Sequence, residues 1–178
     1  MKQLIVNADD FGITTGVNRA IIEGHQHGII TSTTLMVNMP GFNEAVQLAK
    51  ANPKLGVGLH FNITQGQPIA SKEKIRSLLN SKLEFTGTST ALAQRSILGR
   101  LKSAEIEIEL RAQIEKALAA GIKPTHLDSH KHAHALPQVF EVLARVLPEY
   151  GIGAVRMMLE STRLTGLSLK QLKQSAVG

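Results

Sequence analysis

Asn7-Ala8-Asp9-Asp10-Phe11-Gly12, Gly58-Leu59-His60 and Thr125-His126-Leu127-Asp128-Ser129-His130-Lys131-His132-Ala133-His134 are three short segments that each deliver a metal-type ligand. Each set stands at or just beyond the end of an apolar run, Leu4 to Ala8, Leu55 to Leu59 and Pro124 to Leu127. Polar groups gathered at the ends of several strands are how α/β enzymes usually build a site. Combined, the three segments suggest a centre of one carboxylate and two imidazoles. The chain has no cysteine, so thiolate zinc sites, disulfides and cysteine nucleophiles are excluded and His, Asp and Glu are the strong ligands that remain.

Each segment also has a plainer reading. Adjacent carboxylates repel, a cost most easily met when a cation neutralises one or when the two take different protonation roles. In an extended strand Asp9 and Asp10 point to opposite faces, so both serve one site only if the chain turns, and Phe11-Gly12 offers a turn. Taken alone, the pair reads more readily as a solvated turn, or as Asp9 capping the next helix. A lone His60 after Gly56-Val57-Gly58-Leu59 is more often a satisfied polar residue than a ligand, although the glycines permit close approach of backbone or ligand. The third segment shifts the balance. Strand alternation puts His126, Asp128 and His130 on one face, a carboxylate beside a metal-bound imidazole orients its ring, and His132 and His134 continue the spacing. Its alternative is a His-rich surface stretch with adventitious metal affinity; Asp10 and His60, as matching partners elsewhere, favour the active-site reading.

The elements that must position these groups alternate between strand and helix. After a strand at Leu4 to Ala8, Thr14 or Thr15 caps a helix carrying Val17, Ala20, Ile21 and Gly24 and ending near Gly28. Thr33 to Val37 reads as a strand, Asn43 to Ala51 as a helix and Leu55 to Asn62 as a third strand. Ser103 to Ala120 is the clearest helix, with a Ser cap, a stripe of Ile106, Leu110, Ile114 and Leu118, a Glu107 to Arg111 pair and Gly121 as its stop. A strand at Pro124 to Ser129 follows, then a helix started by Pro137 with Val139, Leu143, Val146 and Leu147 on one face and ended by Gly151, then a fifth strand at Ala154 to Met157. Ser71 to Lys102 reads as an irregular insertion over one face, and Leu164 to Gly178 as a short amphipathic helix.

Such alternation implies an α/β fold, a parallel sheet covered by outer helices, either doubly wound or (β/α)-barrel-like. A full eight-stranded barrel needs about 250 residues. The 178 residues therefore read as a single domain that is either a smaller open variant or the front of a larger barrel, incomplete at its C-terminus. An open edge of that kind predicts self-association, giving a homo-oligomer, or poor stability alone.

Net charge is +6 with a pI near 9.8, but the basic residues are scattered, and 3% aromatic content with no Trp gives no stacking platform for nucleic acid. No apolar run approaches a membrane span, and the first residues are too short an apolar stretch for a secretory signal. The expectation is a soluble cytoplasmic protein with neither nucleic-acid nor membrane partners. Dinucleotide, Walker and Gly-x-Ser-x-Gly motifs are absent from the sequence.

At four places the sequence resembles the YdjC-like carbohydrate deacetylases, a family that includes the chitooligosaccharide deacetylases: Leu4 to Gly12, Gly28 to Thr34 with Met36-Val37-Asn38, Gly56 to His60, and Pro124 to His130. The resemblance runs from residue 1 to about residue 157, in the family's order. It implies a (β/α)-barrel-like fold, a divalent metal held by Asp10, His60 and His130, Asp9 as the neighbouring catalytic base, and removal of acetyl groups from N-acetylated amino sugars. Asp128, His126, His132 and His134 are then candidates for orienting the ligands or touching the oligosaccharide. Family members look longer, with a late histidine-bearing segment that nothing after Arg156 matches, so the resemblance also implies a truncated domain lacking its C-terminal part.

Two His and one Asp leave positions on a metal open for water and a substrate carbonyl. Imidazoles favour zinc or another transition metal by softness, whereas the resemblance points to magnesium. The same centre could hydrolyse a phosphoester or another amide, and a chain that has lost turnover would remain a metal-binding or sugar-binding module.

Overall fold

The computed structural model describes residues 4–157. Its sheet, among those residues, has four parallel strands in the order β1 (Asn7–Phe11), β2 (Ser32–Leu35), β3 (Gly56–Phe61) and β4 (Leu127–Ser129). Strand order follows chain order, as right-handed β-α-β crossovers in one direction produce in a barrel wall. Helices α1 (Thr15–Gln26) and α2 (Phe42–Ala51) form the first two crossovers. The third is longer and holds α3 (Ser89–Ile97) and α4 (Ser103–Ala119), and α5 (Pro137–Val146) follows β4.

Local chemistry accounts for most boundaries. Thr14 Oγ1 accepts the Val17 N–H and caps α1, as expected of a threonine at that position. Pro137 opens α5, and the Glu107–Arg111 pair lies along α4 at 2.8 Å. Several expectations shift. The first strand begins at Asn7, and Leu4 and Ile5 are 80% and 76% exposed. Ladder hydrogen bonds start only where Val6 O meets Thr31 N and Ser32 N, so hydrophobicity alone misplaces the strand. Helix α4 starts after Lys102 with no side-chain cap, and its buried stripe ends on Ala117 while Leu118 is 38% exposed. The fourth strand is shorter than Pro124 to Ser129. The fifth reduces to one parallel bridge, Leu127 with Val155. The helix expected over Leu164 to Gly178 lies outside the described residues.

The segment between β3 and α4 is packed rather than loose. Ile75, Leu78, Phe85 and Leu92 are buried, and Thr88 caps the unexpected α3 by accepting the Ala91 N–H. Glu109 of α4, fully buried, ties this segment down: its carboxylate accepts the Ile69 and Ala70 N–H groups at 3.0 and 2.9 Å and the Gln113 amide at 2.7 Å. Glu109→Ala orphans two backbone donors and is expected to cost about 2–4 kcal/mol in urea unfolding. A loss below about 0.5 kcal/mol would show that the segment rests on its apolar contacts alone.

Candidate metal centre

The sheet places its chemistry at the C-terminal ends of β1, β3 and β4. Asp10 is the fourth residue of β1, His60 the fifth of β3, and His130 follows β4 directly. Asp10 Oδ1 lies 3.2 Å from His60 Nε2 and 2.9 Å from His130 Nδ1. One ligand atom from each of the three residues falls within 4.8 Å of the others. Donors on a common tetrahedral ion at about 2.1 Å are separated by about 3.4 Å, so the spacing fits a shared cation.

Asp9 and Asp10 reach one side of the sheet through a bulge. The β1–β2 register shifts between Ala8 and Phe11, and Asp10 adopts φ 67. A left-handed residue inside a strand turns its side chain out of alternation, and aspartate tolerates that conformation better than most. The reorientation therefore sits at Asp10 and not, as expected, in the Phe11-Gly12 turn. Gly12 has its own constraint: φ is +98, and a Cβ there would lie 2.8 Å from Met36 O.

His60 is buried between two carboxylates. Nε2 faces Asp10, while Nδ1 lies 2.6 Å from Asp128 Oδ1 and 3.1 Å from Thr34 Oγ1. Burial disfavours the charged ring, but the hydrogen bonds to Asp10 and Asp128 outweigh it and the imidazole is pushed up to about 9. Hydrogen bonds from His130 and then His60 hold the Asp10 carboxyl far below the usual carboxylate range. Asp128 thus fixes the direction of the His60 ring through Nδ1. His130 Nε2 lies 3.3 Å from Gln65 Oε1, a neighbour the sequence did not flag.

Asp9 stands beside this cluster. Its Oδ1 accepts the Asn7 amide at 2.8 Å and its Oδ2 accepts Arg156 Nη1 at 2.8 Å. Burial raises the Asp9 carboxyl, yet the Arg156 and Asn7 hydrogen bonds and the nearby positive charges outweigh it, so the group is lowered and is a carboxylate at neutral pH.

The remaining histidines take other places. His126 lies at the N-terminal end of β4, with Nε2 3.3 Å from Asn7 Oδ1 and 3.4 Å from Ser32 Oγ. Gly58 makes room for it, since a Cβ there would be 2.6 Å from the His126 ring. A cavity of about 860 Å³ lies at that end of the strands, bordered by Asn7, Ser32, His126 and Arg156. His132 is exposed with φ 57, and His134 is buried against Ser129 Oγ at 2.6 Å. His126 precedes β4, Asp128 lies in it and His130 follows it, and only Asp128 and His130 reach the cluster.

The chain matches the family described as YdjC-like protein over residues 3–177. It is 45% identical over 150 residues to a carbohydrate deacetylase of Brevibacillus brevis, covering 84% of this chain and 57% of that protein. It is also 45% identical over 143 residues to a chitooligosaccharide deacetylase of Yersinia enterocolitica, covering 80% and 54%. A crystal structure from Enterococcus faecalis V583, provisionally described as a cellobiose-phosphate cleavage protein, superposes with a TM-score of 0.79 at 31% identity, covering 95% of this chain and 62% of that one. The chain spans a little over half the length of these curated relatives. No helix among the described residues is long and apolar enough to cross a membrane.

Proposed function

Because this chain belongs to the YdjC-like protein family, we propose that it is a metal-dependent hydrolase that removes the acetyl group from N-acetylated amino sugars of the chitooligosaccharide type. The observation that carries the reading is the convergence of Asp10, His60 and His130 on one ion-sized site, with the ionised Asp9 beside it. These three side chains would hold a divalent ion, zinc or magnesium. Such an ion supplies Lewis-acid chemistry, acidifying water and polarising an amide carbonyl. Asp9 then takes the proton of the attacking water. Asp128 keeps His60 turned so that Nε2 faces the site, and His130 and Asp10 complete the donor set.

Names of relatives support the substrate class: the Yersinia protein is called a chitooligosaccharide deacetylase. The test is acetate release from N,N'-diacetylchitobiose with zinc or magnesium added, run beside a panel of phosphoesters. Acetate release that a chelator stops is the expected result. Phosphoester hydrolysis without acetate release would replace the reading with another metal-dependent hydrolysis.

Proton linkage gives a second expectation. The metal-free His60 imidazole, raised from 6.5 to about 9, is protonated at neutral pH and must lose a proton to become a ligand. The ion pairs it makes with Asp10 and Asp128 stabilise the metal-free fold fully below pH 6.5, and that contribution is lost as pH rises through about 9. Metal affinity runs the other way. Measured by calorimetric titration, it should rise by up to about tenfold per pH unit between pH 6.5 and 9 and then level. A flat profile across that window would mean that His60 gives up no proton to the metal.

A further inference from the structure

Arg156 was not among the candidate site residues, yet it joins two of them. Its Nη1 lies 2.8 Å from Asp9 Oδ2 and 2.9 Å from Asp128 Oδ2. The other oxygen of each carboxylate is already committed: Asp9 Oδ1 to the Asn7 amide and Asp128 Oδ1 to His60 Nδ1. One guanidinium nitrogen therefore links the group beside the ion site to the group that orients a ligand of that site.

The backbone holds Arg156 in place for this. Arg156 N donates to Leu127 O at 3.0 Å, and Leu127 N donates to Ala154 O at 2.9 Å, which seats the segment next to β4. Asp9, by contrast, lies where β1 leaves its ladder, between Ala8 and Phe11. A side chain on bulged backbone has fewer main-chain restraints, so its direction depends on what its own atoms touch.

Resting on the deacetylase reading of the site, we propose that Arg156 is a positioning residue: it clamps the Asp9 and Asp128 carboxylates to one nitrogen and so fixes the base relative to His60. A base displaced by about 1 Å loses on the order of 10²-fold in rate without losing substrate affinity. Because both contacts come from one nitrogen, a lysine ammonium reaching the same point restores part of the clamp, though without the planar fork that sets its direction.

The test uses the full chain and the variants Arg156→Ala, Arg156→Lys, Asp9→Asn and Asp9→Asn/Arg156→Ala. Urea midpoints give a readout independent of turnover: the shift caused by Arg156→Ala should be smaller in the Asp9→Asn background. In zinc-loaded protein, Arg156→Ala should keep one ion per chain and hold KM within about threefold while kcat for acetate release falls about 10- to 100-fold. Arg156→Lys should recover part of kcat, and guanidinium ion added to Arg156→Ala should raise it. Additive midpoints overturn the clamp, as does a kcat that Arg156→Ala leaves intact. If Arg156→Ala does not fold, Arg156→Lys decides: a kcat equal to that of wild type contradicts the need for the fork. Wild type that releases no acetate refutes the deacetylase reading separately, and the midpoint cycle still decides whether the clamp exists.

Discussion

His60→Ala should abolish stoichiometric metal binding and lower acetate release by roughly 10³-fold or more, about 4 kcal/mol of transition-state stabilisation. The size of the effect follows from where the ring sits. His60 is 2% exposed, with Asp10 on one nitrogen and Asp128 on the other. Removing it takes away one of the three proposed ligands and leaves two carboxylates facing each other, one of them buried, across the gap. Water entering that gap cannot replace an imidazole that is already oriented. Since a buried side chain is lost, His60→Gln is the companion variant that preserves volume. Metal content by plasma mass spectrometry after dialysis checks both. An ion retained at one per chain in either variant would place the metal elsewhere.

Asp9→Asn should separate binding from chemistry. The amide cannot accept the proton of the attacking water, so acetate release should fall by about 10²–10⁴-fold. The Asp10, His60 and His130 side chains are untouched by the change, and metal stoichiometry should stay at one. Asp10→Asn makes the contrast: Asp10 Oδ1 is the atom shared by both imidazoles, and losing the carboxylate's charge, with an amide NH2 in place of one oxygen, should release the metal. Equal metal loss from the two asparagine variants would mean that Asp9 and Asp10 do not have separable roles.

Much of this arrangement was legible in the residues. Local signals place α1, α2 and α4 and the start of α5 within a residue or two, because Thr14 caps through its own hydroxyl, Gly121 takes a left-handed backbone and Pro137 opens a helix, whereas α5 stops at Val146 and the chain reaches Gly151 through a 3-10 turn at Leu147–Tyr150. Asp10, His60 and His130 stood out since strand ends in an α/β sheet converge whatever the intervening sequence. What escaped depends on distant contacts. Arg156 meets Asp9 across 147 residues, with no pattern in either neighbourhood to announce it. Thr34 and Gln65 acquire their parts only once β2 and the loop after β3 lie beside His60 and His130. Glu109 reads as an ordinary helix charge until the Ile69-Ala70 backbone is folded onto it. The bulge at Asp10 escapes the sequence for a related reason: glycine makes Phe11-Gly12 the expected turn, whereas the backbone takes the left-handed conformation at an aspartate.

The same residues leave a competing site to exclude, the His132–His134 pair, whose rings lie 6.2 Å apart. Anomalous diffraction at the zinc edge, from crystals of this chain soaked in zinc, distinguishes the two directly. One strong peak bounded by Asp10, His60 and His130 is expected, with ligand distances of about 2.0–2.2 Å. A peak at His132 and His134 with none among the three residues would contradict it.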